Sequence, residues 1–194
     1  MALLFQQSQI PIYSCVERPP YWIWVNGEKK RNPNKNNITT KMLDFKDEND
    51  RNHQAAVAFF SKILISYLTS HPLPYPKAVL QTVIAIVPSH KAGRTSPALE
   101  RVAHDLVKHF GFVYRGNPLE RVTTIEKLSE GGNRDSIVHL TSIRVKEELI
   151  PNYSQVLLID DITTSGNSLR ACAELLLQSQ SVVSVVPLAI AQTC

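Results

Sequence analysis

The chain has 194 residues, 43% of them hydrophobic and 20% charged, with a formal net charge of +4. That length supports one domain with a sizeable core, and that balance excludes disordered and fibrous classes. Three cysteines without a Cys-x-x-Cys pair, and six histidines without a His-x-x-x-His helix pair, argue against a disulfide framework and an all-protein zinc site.

The first segment, MALLFQQSQIPI, has neither the charged start nor the cleavage site of a secretion signal, so a cytoplasmic location is expected. No apolar run reaches the roughly 18 residues of a membrane span. The pattern then divides the chain into an N-terminal hairpin extension, residues 1–45, and a single core, residues 46–194. In the extension, YWIWVNGEKKR reads as a hairpin whose Asn26-Gly27 pair supplies the positive φ angles of a tight turn. Tyr21, Trp22 and Trp24 interleave there with Lys29, Lys30, Arg31 and Lys35, the composition of a single-stranded nucleic-acid platform. The simpler and preferred reading packs the tryptophans on the domain or on a second subunit, which would make the chain a homodimer.

In the core, DRNHQAAVAFFSKILISYL reads as a helix through Ala56, Phe59, Phe60, Ile63 and Tyr67, stopped by the prolines of HPLPYP. From Gln81 to Thr193, apolar runs alternate with helical patterns. Strands are predicted over Thr82–Val87, Phe112–Arg115, Ile137–Val145, Gln155–Asp160 and Ser181–Ala191. Between the first two, SPALERVAHDLVKHFG has Ser96 as cap, Pro97 at the first helical position and Gly111 at the end. Another helix starts at Ser168, with Leu169, Cys172, Ala173 and Leu176 on one face, which makes Cys172 a core residue and not a nucleophile. The alternation predicts an α/β fold, a mainly parallel twisted sheet flanked by helices.

The most informative stretch is VLLIDDITTSGNSL, Val156–Leu169. A continuous apolar run is the mark of a parallel strand buried on both faces. Asp160 and Asp161 then fall at its carboxyl end, where open α/β sheets place their ligand sites. The hydroxyls of Thr163, Thr164, Ser165 and Ser168 surround Gly166 at a helix start, where unpaired N–H groups and a partial positive charge favour anions. Carboxylates suited to sugar hydroxyls or a hydrated Mg2+, beside an anion cradle, describe a phosphorylated sugar as ligand. Neither a P-loop nor a G-x-G-x-x-G pattern occurs.

This order of strand, Asp-Asp, hydroxyl loop, Gly and helix resembles the phosphoribosyl pyrophosphate (PRPP) motif of type I phosphoribosyltransferases. The resemblance implies that Asp160 and Asp161 hold the ribose hydroxyls while Thr163, Thr164, Ser165, Gly166, Asn167 and Ser168 bind PRPP through its 5′-phosphate. It implies a pyrophosphate loop at VPSHKAGRTSP, with Ser89, His90, Lys91 and Arg94 as its ligands and Lys91 foremost. It also implies a flexible hood over Leu119–His139, hinged at Gly131-Gly132 and carrying Arg121, Lys127 and Arg134. Such a hood suits chemistry that must exclude water. Asp161, Lys91 and Arg134 would be the catalytic residues. Mg2+ would be held mainly through PRPP, with Asp160 the candidate direct ligand, and the acceptor would be an unidentified nitrogen nucleophile.

Within that superfamily, IVPSHKAGR, the ER…KL…NR…H spacing and KMLDFKDEND ahead of a helix are similar to the competence-associated, ComF-like branch. Two departures stand out. A lone Cys15 in the N-terminal region rules out that branch's four-cysteine zinc module. Thr163 and Thr164 stand where purine-salvage relatives carry an acidic residue, which argues against hypoxanthine-type specificity. The competing readings are a PRPP-sensing or single-stranded-DNA-associated factor without turnover, and a phosphatase or receiver-like domain. The last is disfavoured because its key aspartate belongs on an early strand.

Overall fold

The computed structural model describes residues 10–74, 81–126 and 136–194. Its elements in chain order are β1 (Tyr13–Arg18), β2 (Trp22–Val25), β3 (Glu28–Arg31), α1 (Asn37–Lys46), α2 (His53–Ser70), β4 (Gln81–Ile86), α3 (Pro97–Phe110), β5 (Leu119–Arg121), α4 (Ser136–Ser142), β6 (Ile143–Val145), β7 (Ser154–Thr163), α5 (Asn167–Leu177) and β8 (Val182–Thr193). The central sheet has the order β1-β8-β7-β4, and all of its pairings are parallel. Beyond β4, Val113 adds a parallel bridge to Val83, with its N–H donated to Thr82 O and its carbonyl accepting from Ile84 N–H.

Side-chain alternation along the strands explains the two cores. Ile84, Ile86, Leu157, Ile159, Leu188 and Ile190 face α1, α2 and α3, where they pack on Phe60, Leu64, Val102 and Leu106. Ala85, Val87, Val156, Leu158 and Ala189 face the other way, onto Leu119, Ile143 and the Leu169, Cys172 and Leu176 stripe of α5. Both faces of the sheet are therefore covered by helices, the α/β arrangement expected from the apolar runs. Among the described residues, no helix is long and apolar enough to cross a membrane.

Local chemistry sets the boundaries. In α3, Ser96 Oγ accepts from Leu99 N–H, Pro97 opens the helix, and Gly111 closes it at φ 72° with its N–H on Val107 O. The β2–β3 hairpin turns on Asn26 (φ 52°) and Gly27 (φ 79°). Its Trp22 and Trp24 are 46% and 74% exposed, so within one chain the tryptophans do not pack on the domain as expected. The segment 1–45 contributes more than a hairpin, since β1 pairs with β8 at the sheet edge and Met42 and Phe45 of α1 lie in the main core. Phe45 meets Phe60 edge to face, with ring centroids 5.2 Å apart.

Two strand predictions are overturned, and the first, Phe112–Arg115, is reduced to the single bridge at Val113. Ile137–Ser142, expected as the first part of a strand, is helical, and the strand is limited to Ile143–Val145. A helix puts His139 and Ser142, three residues apart, on one face; a strand would send them to opposite sides. Both turn inward onto Arg121.

Candidate functional site

The strands of a parallel sheet share one carboxyl edge, and here the chain leaves β4 and β7 in opposite directions. From β4 it crosses by α3 to the bridge at Val113; from β7 it crosses by α5 to β8. Such a switch point opens a crevice between neighbouring strand ends. A cleft of about 600 Å³ lies there, lined by both strand-end loops and by Arg18 and Lys46. That volume is within the usual range for small-molecule sites.

β7 delivers its two carboxylates to opposite faces, as adjacent strand residues must. Asp161 emerges on the α1 side and pairs with Lys46 Nζ at 2.9 Å. Its own N–H donates to Asp160 Oδ1 at 2.8 Å. Burial, reinforced by the neighbouring Asp161 charge, pushes the Asp160 carboxyl up to about 8, against the opposing pull of Lys46 and of that N–H.

The loop after β7 is built to stay open. Thr163 is buried and pairs with Gln192, while Thr164 and Ser165 are exposed. Gly166 caps α5 at φ 79° without any side-chain cap, and no acidic residue occupies the first turn. Among the described residues, no protein acceptor takes the N–H groups of Thr164, Ser165, Gly166 or Ser168. Gly166 is favoured by its left-handed φ, and an added Cβ would lie 2.2 Å from Ile12 Cδ1, so the end of that side chain would have to move. Close approach to the backbone at this glycine is thus made by Ile12 from one side. Arg170 Nη1 ties down the loop by donating to Ser165 O at 2.7 Å.

The loop after β4 spends its N–H groups on itself and on the segment from Arg121 to Thr124. Ser89 N–H donates to Arg94 O, Arg94 N–H to Lys91 O, Gly93 N–H to Arg121 O and Ala92 N–H to Thr124 Oγ1. An anion here would meet side chains, and those of Ser89, His90 and Arg94 line the cleft. Lys91 is exposed and does not line it.

Beneath both loops lies Arg121, 1% exposed. It is a core residue at the root of the segment expected as a hood, and it also lines the cleft. Its Nε donates to Ser89 O, Nη1 to Ser142 Oγ and Nη2 to His139 Nδ1, while His139 Nε2 stands 3.2 Å from Ser168 Oγ. The segment expected as a hood begins with β5, paired to β6, and ends in α4. Its middle, with Lys127, Gly131, Gly132 and Arg134, lies outside the described residues.

Of the residues expected at the site, Asp160, Asp161 and Thr163–Ser168 come together with Ser89, His90 and Arg94 around one cleft. Arg18 and Lys46 join them from parts of the chain to which the sequence assigned no site role, and Arg121 and His139 join them from the two ends of the segment expected as a hood. Arg18 reaches Thr193 Oγ1 through Nη2 at 3.4 Å, and its Nε is buried without a partner among the described residues. Burial lowers its pKa, an effect opposed by the charge of Asp161. A signal for Lys46 was present in NITTKMLDFK, where Met42 and Phe45 stand at helical spacing behind the Asn36 cap. Among the described residues, no group of three or more His, Cys, Asp or Glu side chains is placed to hold a metal ion. Comparison with protein-family models and with curated protein sequences gave no match.

Proposed function

We propose that the chain is a type I phosphoribosyltransferase that binds PRPP with Mg2+ and transfers its phosphoribosyl group to a nitrogen nucleophile, releasing pyrophosphate. The observation that carries this reading is the meeting, at one switch point, of two adjacent carboxylates with a helix-start loop whose N–H groups are unengaged. Ribose hydroxyls require acceptors and a phosphate requires donors, and the cleft offers both side by side. In the reaction the C1–O bond to pyrophosphate breaks with its electron pair leaving on oxygen, an N–C1 bond forms, and the acceptor nitrogen gives up a proton.

In this reading Asp160 and Asp161 hold the ribose, and Thr164–Ser168 receive the 5′-phosphate. Ser89, His90 and Arg94 face the pyrophosphate. Arg94, which lines the cleft, is better placed for that task than the exposed Lys91. Adjacent carboxylates with substrate oxygens suit Mg2+, which prefers oxygen, keeps several waters and is shared with phosphates; Asp160 is its candidate protein ligand, and binding the ion there would displace the proton that Asp160 otherwise keeps. When bound, the ion would neutralise charge on the departing pyrophosphate.

Calorimetry with PRPP and Mg2+ tests the proposal. Asp161→Asn is expected to abolish binding while the protein keeps its cooperative melt, and unchanged affinity would refute the assignment. A second reading, a PRPP-sensing or DNA-associated factor without transfer, is favoured by the hairpin alone. There Trp24 is 74% exposed and Lys29 Nζ lies 5.5 Å from the Trp22 ring centre. Salt-dependent single-stranded DNA binding, lost on changing Lys29, Lys30 and Arg31 and with no turnover of PRPP, would establish that reading instead.

A further inference from the structure

Arg121 makes a chain of contacts that fixes the direction of every proton along it. A guanidinium in a protein donates and never accepts. His139 Nδ1, 3.2 Å from Arg121 Nη2, must therefore be the acceptor, which leaves the imidazole hydrogen on Nε2. That N–H points at Ser168 Oγ, 3.2 Å away, and occupies one lone pair of the hydroxyl. The hydrogen of Ser168 itself has no protein acceptor among the described residues, and Ser168 lines the cleft next to the free N–H groups of its own loop. The opposite tautomer would set an N–H against the donors of Arg121 and turn the serine hydrogen inward onto bare Nε2, presenting lone pairs to any anion.

We infer that Arg121, acting through His139, is a positioning residue that holds the Ser168 hydroxyl as a hydrogen-bond donor to the anion in the cleft. This rests on the phosphate assignment of the Thr164–Ser168 loop. Two surrounding features keep the relay in one state. Ser142 Oγ accepts from Arg121 Nη1 while donating to Val138 O, so it cannot reverse. His139 is 2% exposed, and burial together with the Arg121 charge holds its pKa below the ordinary histidine value, which keeps the imidazole neutral. Through Nε on Ser89 O, the same guanidinium also fixes the start of the second loop.

The free protein gives the first test, because the nitrogen chemical shifts of His139 report its tautomer without any ligand. A hydrogen on Nε2 is expected, and a hydrogen on Nδ1 overturns the inference. The second test is a double-mutant cycle read by calorimetry with ribose 5-phosphate. Ser168→Ala and His139→Phe are each expected to lose about tenfold in affinity, the scale of one hydrogen bond to a charged group. The double variant should lose no more than either single one, and His139→Gln, which keeps an N–H directed at Ser168, should retain most of the affinity. Losses that multiply in the double variant overturn the relay. If the wild type binds no sugar phosphate, the phosphoribosyl reading fails, and the tautomer still decides the wiring of Arg121.

Discussion

The loop after β4 gives its N–H groups to the protein, whereas the loop after β7 leaves them unengaged beside a partly buried carboxylate. Both leave the same sheet edge, and both turn on a glycine with positive φ, Gly93 at 68° and Gly166 at 79°. What separates them is where the hydrogen bonds go. The first loop is satisfied by itself and by the Arg121–Thr124 segment, and it meets a ligand chiefly through side chains. The second keeps backbone donors and an anion-favouring helix end, and it is stable as it stands because Ile12, Arg170 and His139 hold it from behind. A site for two different anionic groups can be made this way, one rigid wall facing one receptive wall.

The largest effect that would sharpen this contrast concerns Asp160. Its carboxyl is raised from 3.8 to about 8 in the native state. Between those values the unfolded chain has lost the proton and the folded chain keeps it, so stability falls as pH rises across the window and is level above it. Asp160→Asn does not titrate. It should be the more stable protein at neutral and alkaline pH, with a gap that opens as pH rises from about 4 towards 8. Thermal melts across that range check it, and a gap that narrows with rising pH contradicts the assignment.

Next come the paired glycines. Gly166→Ala faces both a left-handed φ and the Ile12 contact, and should cost about 1–3 kcal/mol and most of the sugar-phosphate affinity. Gly93→Ala meets open space at a similar φ, and should cost about 1 kcal/mol with that affinity intact. Equal losses in chemical denaturation would erase the distinction between the loops. The smallest effect is on the satisfied loop itself. Arg94→Ala should weaken inorganic pyrophosphate binding about tenfold, and Lys91→Ala by less than about twofold; the reverse order would restore Lys91 as the principal cation.

Much of this was legible because it is contiguous. The apolar runs of β4, β7 and β8 announce strands buried on both faces, and Asp160 to Ser168 follow one of them without a break. β1 escaped notice because an edge strand with Ser14, Glu17 and Arg18 lacks such a run. The segment Ile137–Val145 misled because its branched apolar residues fit a strand, while the contacts that select a helix come from Arg121, distant in sequence. Arg18, Lys46 and His139 reach the cleft from three separate elements. No local pattern encodes that convergence, because it is set by strand order.

Both tryptophans of the chain, Trp22 and Trp24, sit on the exposed β2–β3 hairpin and none lies in the core. Indole emission is therefore already that of a wet environment in the native protein, and it is nearly blind to melting of the sheet. Far-ultraviolet dichroism or calorimetry has to follow unfolding instead. The same arrangement makes the emission a selective reporter for anything that stacks upon the hairpin.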